Sequence, residues 1–156
     1  MNHQYYIDYT CKIAAENVQS GKGGPFGAVI VRGDEIIGEG TNLVTNLHDP
    51  TAHAEMQAIR NATSYIGHFE LEDCVIYSSC EPCPMCLGAI YWARPKALYF
   101  AYTKKDAAEI GFDDDFIYQE IDKPYEERKI NTTQLKESDT ANPMRAWMEK
   151  EDKAEY

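Results

Sequence analysis

The amino-acid sequence predicts an α/β fold, a sheet with some parallel pairing covered by helices. Three observations predict it. The middle of the chain alternates strand, helix, strand, helix, strand, the order that lays helices over a sheet. Gly33-Asp34 turns one short apolar run back on another, as in a hairpin. The 156 residues, 44% hydrophobic and 26% charged, suit one domain around one buried core.

The elements follow in order. Tyr5 to Gln19 carries Ile7, Cys11, Ala14 and Val18 at helical spacing, with Gly21 as a stop. Phe26 to Val31 and Glu35 to Gly40 are the hairpin strands. Asp49-Pro50-Thr51 announces a helix from Ala52 to Tyr65, capped by Thr51 or Asp49. Cys74 to Tyr77 reads as a short buried strand. A helix opens near Pro82-Cys83 and runs to Trp92, and Ala97 to Ala101 is the next strand. Asp106 to Ile110 suits a helical turn, and Asp113 to Ile121 a helix with an acidic start. Ile130 to Leu135 is expected as a last strand. Asn142-Pro143 opens a final helix to Lys150, and Glu151 to Tyr156 is a polar tail.

Composition narrows the partners. The net charge of -11, from 15 basic and 26 acidic residues, disfavours a large nucleic-acid partner, which rewards a basic surface. It suits a small neutral substrate. No apolar run is long enough to span a bilayer. Met1 to Asp8 has neither a basic nor an apolar stretch, so no signal peptide and a cytoplasmic location are expected. The five cysteines are an odd number in such a chain, which disfavours a disulfide framework. Cys80, Cys83 and Cys86 cluster, which points to metal or redox chemistry.

Two motifs carry that chemistry. His53-Ala54-Glu55 lies just inside one helix start, and Pro82-Cys83-Pro84-Met85-Cys86 at the next. Cysteines three apart share a helix face, and the electropositive helix end favours thiolates. His53, Cys83 and Cys86 make the three ligands of a catalytic zinc with one position open for water. Bound water then ionises near pH ~7, and Glu55 is placed to carry its proton to a leaving group. Positions two apart inside a helix point to nearly opposite sides. His53 and Glu55 therefore converge only if the site sits off the helix end. A closed structural site with Cys80 as fourth ligand is the non-enzymatic alternative, but it leaves Glu55 without a task. An iron–sulfur cluster would leave His53 idle.

With these residues in place, the chain resembles the cytidine and deoxycytidylate deaminase superfamily, whose signature is His-x-Glu followed by Pro-Cys-x-x-Cys. The resemblance implies a three-layer α/β/α sandwich around a mixed five-stranded sheet, one zinc per subunit with bound water, and hydrolytic loss of an amine from a nucleobase. Within the superfamily the chain is similar to bacterial guanine deaminases. Gly24 to Ile30, His48 to Glu55, Cys80 to Pro95 and above all Asp106 to Tyr118 carry this. That similarity implies conversion of guanine to xanthine and ammonia by a homodimer that exchanges C-terminal segments, here from about residue 140 to 156. It implies that Asn42 and the backbone of Ala54 hold the purine edge and that Phe26 and Trp92 pack on the ring. Asp114 would meet the amine side and share in catalysis, and Tyr156 would close the pocket from a partner subunit. A tRNA adenosine deaminase shares His48 to Glu55 almost as well, and a deaminase of another base or nucleoside is also open.

Overall fold

The computed structural model describes residues 2–136 and 141–156. The chain divides into two compact units, one up to Phe116 and one from Ile117 to Tyr156.

The first unit begins with helix α1 (His3–Gln19), capped by the Asn2 side chain, which accepts from the Tyr5 N–H. Strands β1 (Gly27–Arg32) and β2 (Glu35–Thr41) form the expected hairpin. A short helix α2 (Val44–Leu47) that the sequence reading lacks precedes α3 (Ala54–Ile66). Then come β3 (Cys74–Cys80), α4 (Pro84–Ala93), β4 (Ala97–Tyr102) and α5 (Lys104–Glu109). The sheet order is β2-β1-β3-β4. Among the described residues only β3 and β4 run parallel, and α4 is the crossover between them.

Side chains alternate across this sheet with period two. Ala28, Ile30 and Ile76 face Ala54, Ala58 and Ala62 of α3 and Ile90 of α4. Val29, Val31, Val75 and Tyr77 face Tyr6 and Ile13 of α1. Helices therefore cover both sides, and β3 is buried along its whole length. Gly40 lets α3 settle tightly on β2: a Cβ there would lie 2.2 Å from the Ala54 carbonyl oxygen.

The second unit holds most of α6 (Asp115–Asp122), a 3-10 turn at Tyr125–Glu127 and α7 (Pro143–Glu149). Within it the Arg128 guanidinium lies over the Tyr125 ring, 4.8 Å from its centre, and donates to the Lys123 and Ile121 carbonyls. Asn142 caps α7 as its sequence suggests.

Two expectations need correction. The sheet has four strands among the described residues, not five. Ile130–Leu135 forms no strand: its two apolar residues are five apart, an odd spacing that puts them on opposite faces, and both are exposed. The α3 start also lies later than expected. Asp49 accepts from the Thr51 N–H and hydroxyl at 2.8 and 2.7 Å, closing a local turn, and the residue at the helix boundary is His53. The expected exchange segment from about residue 140 begins outside the described residues.

Candidate active site

The site grows from two helix starts. His53 holds the N-cap position of α3 with extended backbone, φ −73° and ψ 158°. Cys83 holds the same position on α4, φ −66° and ψ 167°, and Pro84 fills the first helical position, where its missing N–H costs nothing. Cys86 follows one turn later and is fully buried. The strand β3 delivers Cys83, and the close seat of α3 on β2 delivers His53.

His53 Nδ1 lies 3.5 Å from Cys83 Sγ and 3.6 Å from Cys86 Sγ. The three donor atoms all lie within 4.8 Å of one another. Zinc bonds of about 2.0–2.1 Å to nitrogen and about 2.3 Å to sulfur, at tetrahedral angles, set such N···S separations at about 3.6 Å. The donor set therefore fits zinc in type and in spacing. Even without a cation, the group is polarised. A hydrogen bond from the Cys86 thiol, aided by His53, pulls the Cys83 thiol down to about 4. The same bond and burial push Cys86 up, and contact with Cys83 raises His53.

Glu55 sits two residues beyond His53, at 6% exposure. Because His53 lies outside the helix and Glu55 inside its first turn, both reach the same space. Ser78 of β3 donates to Glu55 Oε1 at 3.1 Å, and burial holds the carboxyl above the usual carboxylate range. The group is thus oriented and biased toward carrying a proton.

A cavity of about 610 Å³ opens over these groups, and His53, Glu55 and Cys83 contribute to its walls. Phe26 and Phe112 form an aromatic corner, their rings perpendicular and 4.9 Å apart. Asn42 lines the cavity with its Oδ1 accepting from the N–H groups of Gly24 at 3.4 Å and Val44 at 3.3 Å. Asp114 enters from the segment before α6, its carboxyl raised by burial and by the nearby Cys83. Cys80 also lines the cavity but stands outside the donor triad. Its thiol donates to the Thr103 carbonyl at 3.6 Å, and burial pushes it up to about 11.

The structure thus brings together His53, Cys83, Cys86, Glu55, Phe26, Asn42 and Asp114 in the first unit. Ala54 is buried between two of them, at the first position of α3. Trp92 is not brought to the cavity: it stands 63% exposed on α4. Tyr156 ends the second unit and is exposed. Sequence reasoning missed Phe112, Ser78 and Lys104. Ser78 lies in an apolar strand with no local signal of its partner. Lys104 also lines the cavity, and its N–H donates to Glu81 Oε2 at 2.9 Å, tying α5 to the segment before Cys83.

Comparison with known proteins places this geometry in context. The family described as the cytidine and deoxycytidylate deaminase zinc-binding region matches residues 1–102. Guanine deaminase of Bacillus subtilis is 55% identical over 156 residues, the whole of both chains. Its crystal structure superposes with a TM-score of 0.97, covering 100% of this chain and 99% of that one. A tRNA-specific adenosine deaminase of Aquifex aeolicus is 34% identical over 125 residues, 80% of this chain and 79% of the relative.

Proposed function

The chain belongs to the cytidine and deoxycytidylate deaminase family, and on that basis we propose that it hydrolyses guanine to xanthine and ammonia with one zinc ion per subunit. The observation that carries this reading is Glu55. A buried, oriented carboxyl stands beside a donor set of three residues among those described, and both face a cavity with aromatic walls. The choice of guanine is supported by the full-length similarity to the Bacillus subtilis enzyme.

His53, Cys83 and Cys86 would hold the zinc. When bound, zinc supplies the Lewis acidity that brings a water's ionisation near neutral pH. The protein's own groups do the rest. Glu55 accepts a proton from the attacking water and returns it to the departing amine, so water enters and ammonia leaves with no net proton change. Ser78 keeps the carboxyl pointed at the cavity. Phe26 offers a ring face to the purine, and Phe112 closes the corner. Two backbone donors occupy Asn42 Oδ1, so its NH2 is the end that donates to the carbonyl edge of guanine. The backbone at Ala54 borders the same edge. Asp114 accepts from the amine side of the base and assists its departure.

Trp92 and Tyr156 complete this pocket in a homodimer, Tyr156 reaching the site of the partner subunit. The exposure of Trp92 and of its chain neighbour Tyr91 supports a surface that another copy covers. The net charge of -11 weighs against a polyanionic tRNA substrate. Among the described residues no helix is long and apolar enough to cross a membrane, in keeping with a cytoplasmic enzyme.

The test is ammonia release by zinc-loaded protein from guanine, adenine, cytosine, their nucleosides and a tRNA anticodon stem-loop. Guanine is expected to be the preferred substrate, with xanthine as product. Turnover of the stem-loop with none of guanine would refute the assignment.

A further inference from the structure

We propose that Asn17, a buried amide on α1, is a positioning residue that fixes which end of the Asn42 amide reads the base. The inference rests on the guanine reading above. Asn17 is 4% exposed and lies outside the cavity walls. Its NH2 donates to two carbonyls at once, that of Gly24 at 3.0 Å and that of Asn42 at 2.8 Å. Its own backbone carbonyl accepts from the Ser20 hydroxyl at 3.0 Å and the Lys22 N–H at 3.2 Å, which anchors it to the end of α1.

One side chain therefore ties the loop carrying Gly24 to the residue that reads the base. That tie matters because the bonds it supports are long. Asn42 Oδ1 is held by the Gly24 N–H at 3.4 Å and the Val44 N–H at 3.3 Å. An asparagine amide has nearly the same shape with oxygen and nitrogen exchanged. These two donors favour the orientation with Oδ1 toward the backbone. The approach is also tight. A Cβ on Gly23 would lie 2.0 Å from the Asn42 carbonyl oxygen, so the loop reaches Asn42 only through glycine. The Asn42 N–H closes the set by donating to the Phe26 carbonyl at 3.1 Å, so the aromatic wall is tied in as well.

The consequence is a choice of base. With Oδ1 held back, Asn42 presents donors, which suit the ring carbonyl of guanine. Turned over, it would present an acceptor, which suits the amine at the same position of 2,6-diaminopurine. Hydrolysis at the 2-amino carbon is the same step in both bases: water enters and ammonia leaves. The bases also differ at ring N1, but that difference is common to parent and variant, so the change in their kcat/KM ratio, followed as loss of the 2-amino group, reports the state of the Asn42 amide.

Asn17→Ala is the direct test, with zinc content and melting temperature measured beside kinetics on both bases. The expected result is zinc content unchanged, a loss on guanine carried mainly by KM, and a guanine-to-diaminopurine ratio reduced by about tenfold or more, the worth of one directed hydrogen bond. A folded, zinc-loaded variant whose ratio stays within about twofold of the parent overturns the proposal, even if both rates fall, because Asn17 would then serve packing alone. Should Asn17→Ala not fold, Asn17→Ser keeps one donor and should give an intermediate ratio; an unchanged ratio there is equally fatal. A parent protein inert on guanine refutes the functional reading itself, before any variant is compared.

Discussion

At the scale of single residues, the decisive fact is where His53 stands. As the cap of α3 rather than a member of it, the imidazole escapes the geometry that would turn it away from Glu55. Two predictions belong at this scale. Cys80→Ala should keep both zinc and turnover, because that thiol is committed to the Thr103 carbonyl and not to the donor triad. Loss of metal in that variant, measured by atomic absorption, would revive a closed structural site. The second prediction concerns zinc-free protein near pH 6. Cys83, pulled down to about 4, is thiolate at that pH, whereas Cys74 and Cys80, both pushed up to about 11, are thiols. Mass spectrometry after brief alkylation should find Cys83 modified first, and zinc should protect it. Equal labelling of the three would contradict the polarisation described. The clustering of His53, Cys83, Cys86 and Glu55 was legible because they sit within two short motifs. Asn17, Ser78 and Phe112 were not, because each meets its partners only after the sheet has formed.

At the scale of elements, the site depends on two helices starting in the right place. The β3–α4–β4 crossover puts Cys83 just past the C-terminal end of the interior strand β3, and the α3 seat on β2 brings His53 to it. Gly40 is the contact that allows this seat. Gly40→Ala should therefore lower stability by about 1–3 kcal/mol, the usual range for overpacking. It should also weaken zinc retention, since backing α3 off moves His53 from the thiols. Chemical denaturation and competition with a chelator measure the two effects. A destabilised variant with unaltered zinc affinity would separate the seat from the site. Four strands were legible from runs of β-branched and aromatic residues closed by turn signals. The fifth failed because Ile130–Leu135 has no alternating face to bury. The α3 start was misplaced because Asp49-Pro50-Thr51 has the chemistry of a cap and also that of a turn. The backbone used it as the turn.

At the scale of the whole molecule, the proposed homodimer gives exposed Trp92 and Tyr156 a role in the pocket of a second copy. Deleting Glu151 to Tyr156 should reduce guanine turnover while leaving zinc content intact. The stronger form mixes chains. A Glu55→Ala chain has an intact tail and a dead site, and a tail-deleted chain has the reverse. If Tyr156 serves the partner subunit, refolding the two together should restore activity that neither has alone. No recovery in a verified mixed dimer would return Tyr156 to its own chain or remove it from the site. Hydrolysis of guanine with Glu55 carrying the proton comes down to one comparison. Ammonia release from guanine is measured for the zinc-loaded protein and for Glu55→Ala, with metal content determined on both. Full zinc is expected in each, with a rate lower by roughly 100- to 10,000-fold in the variant, the usual worth of a general acid–base group. Equal rates at equal zinc content would contradict it.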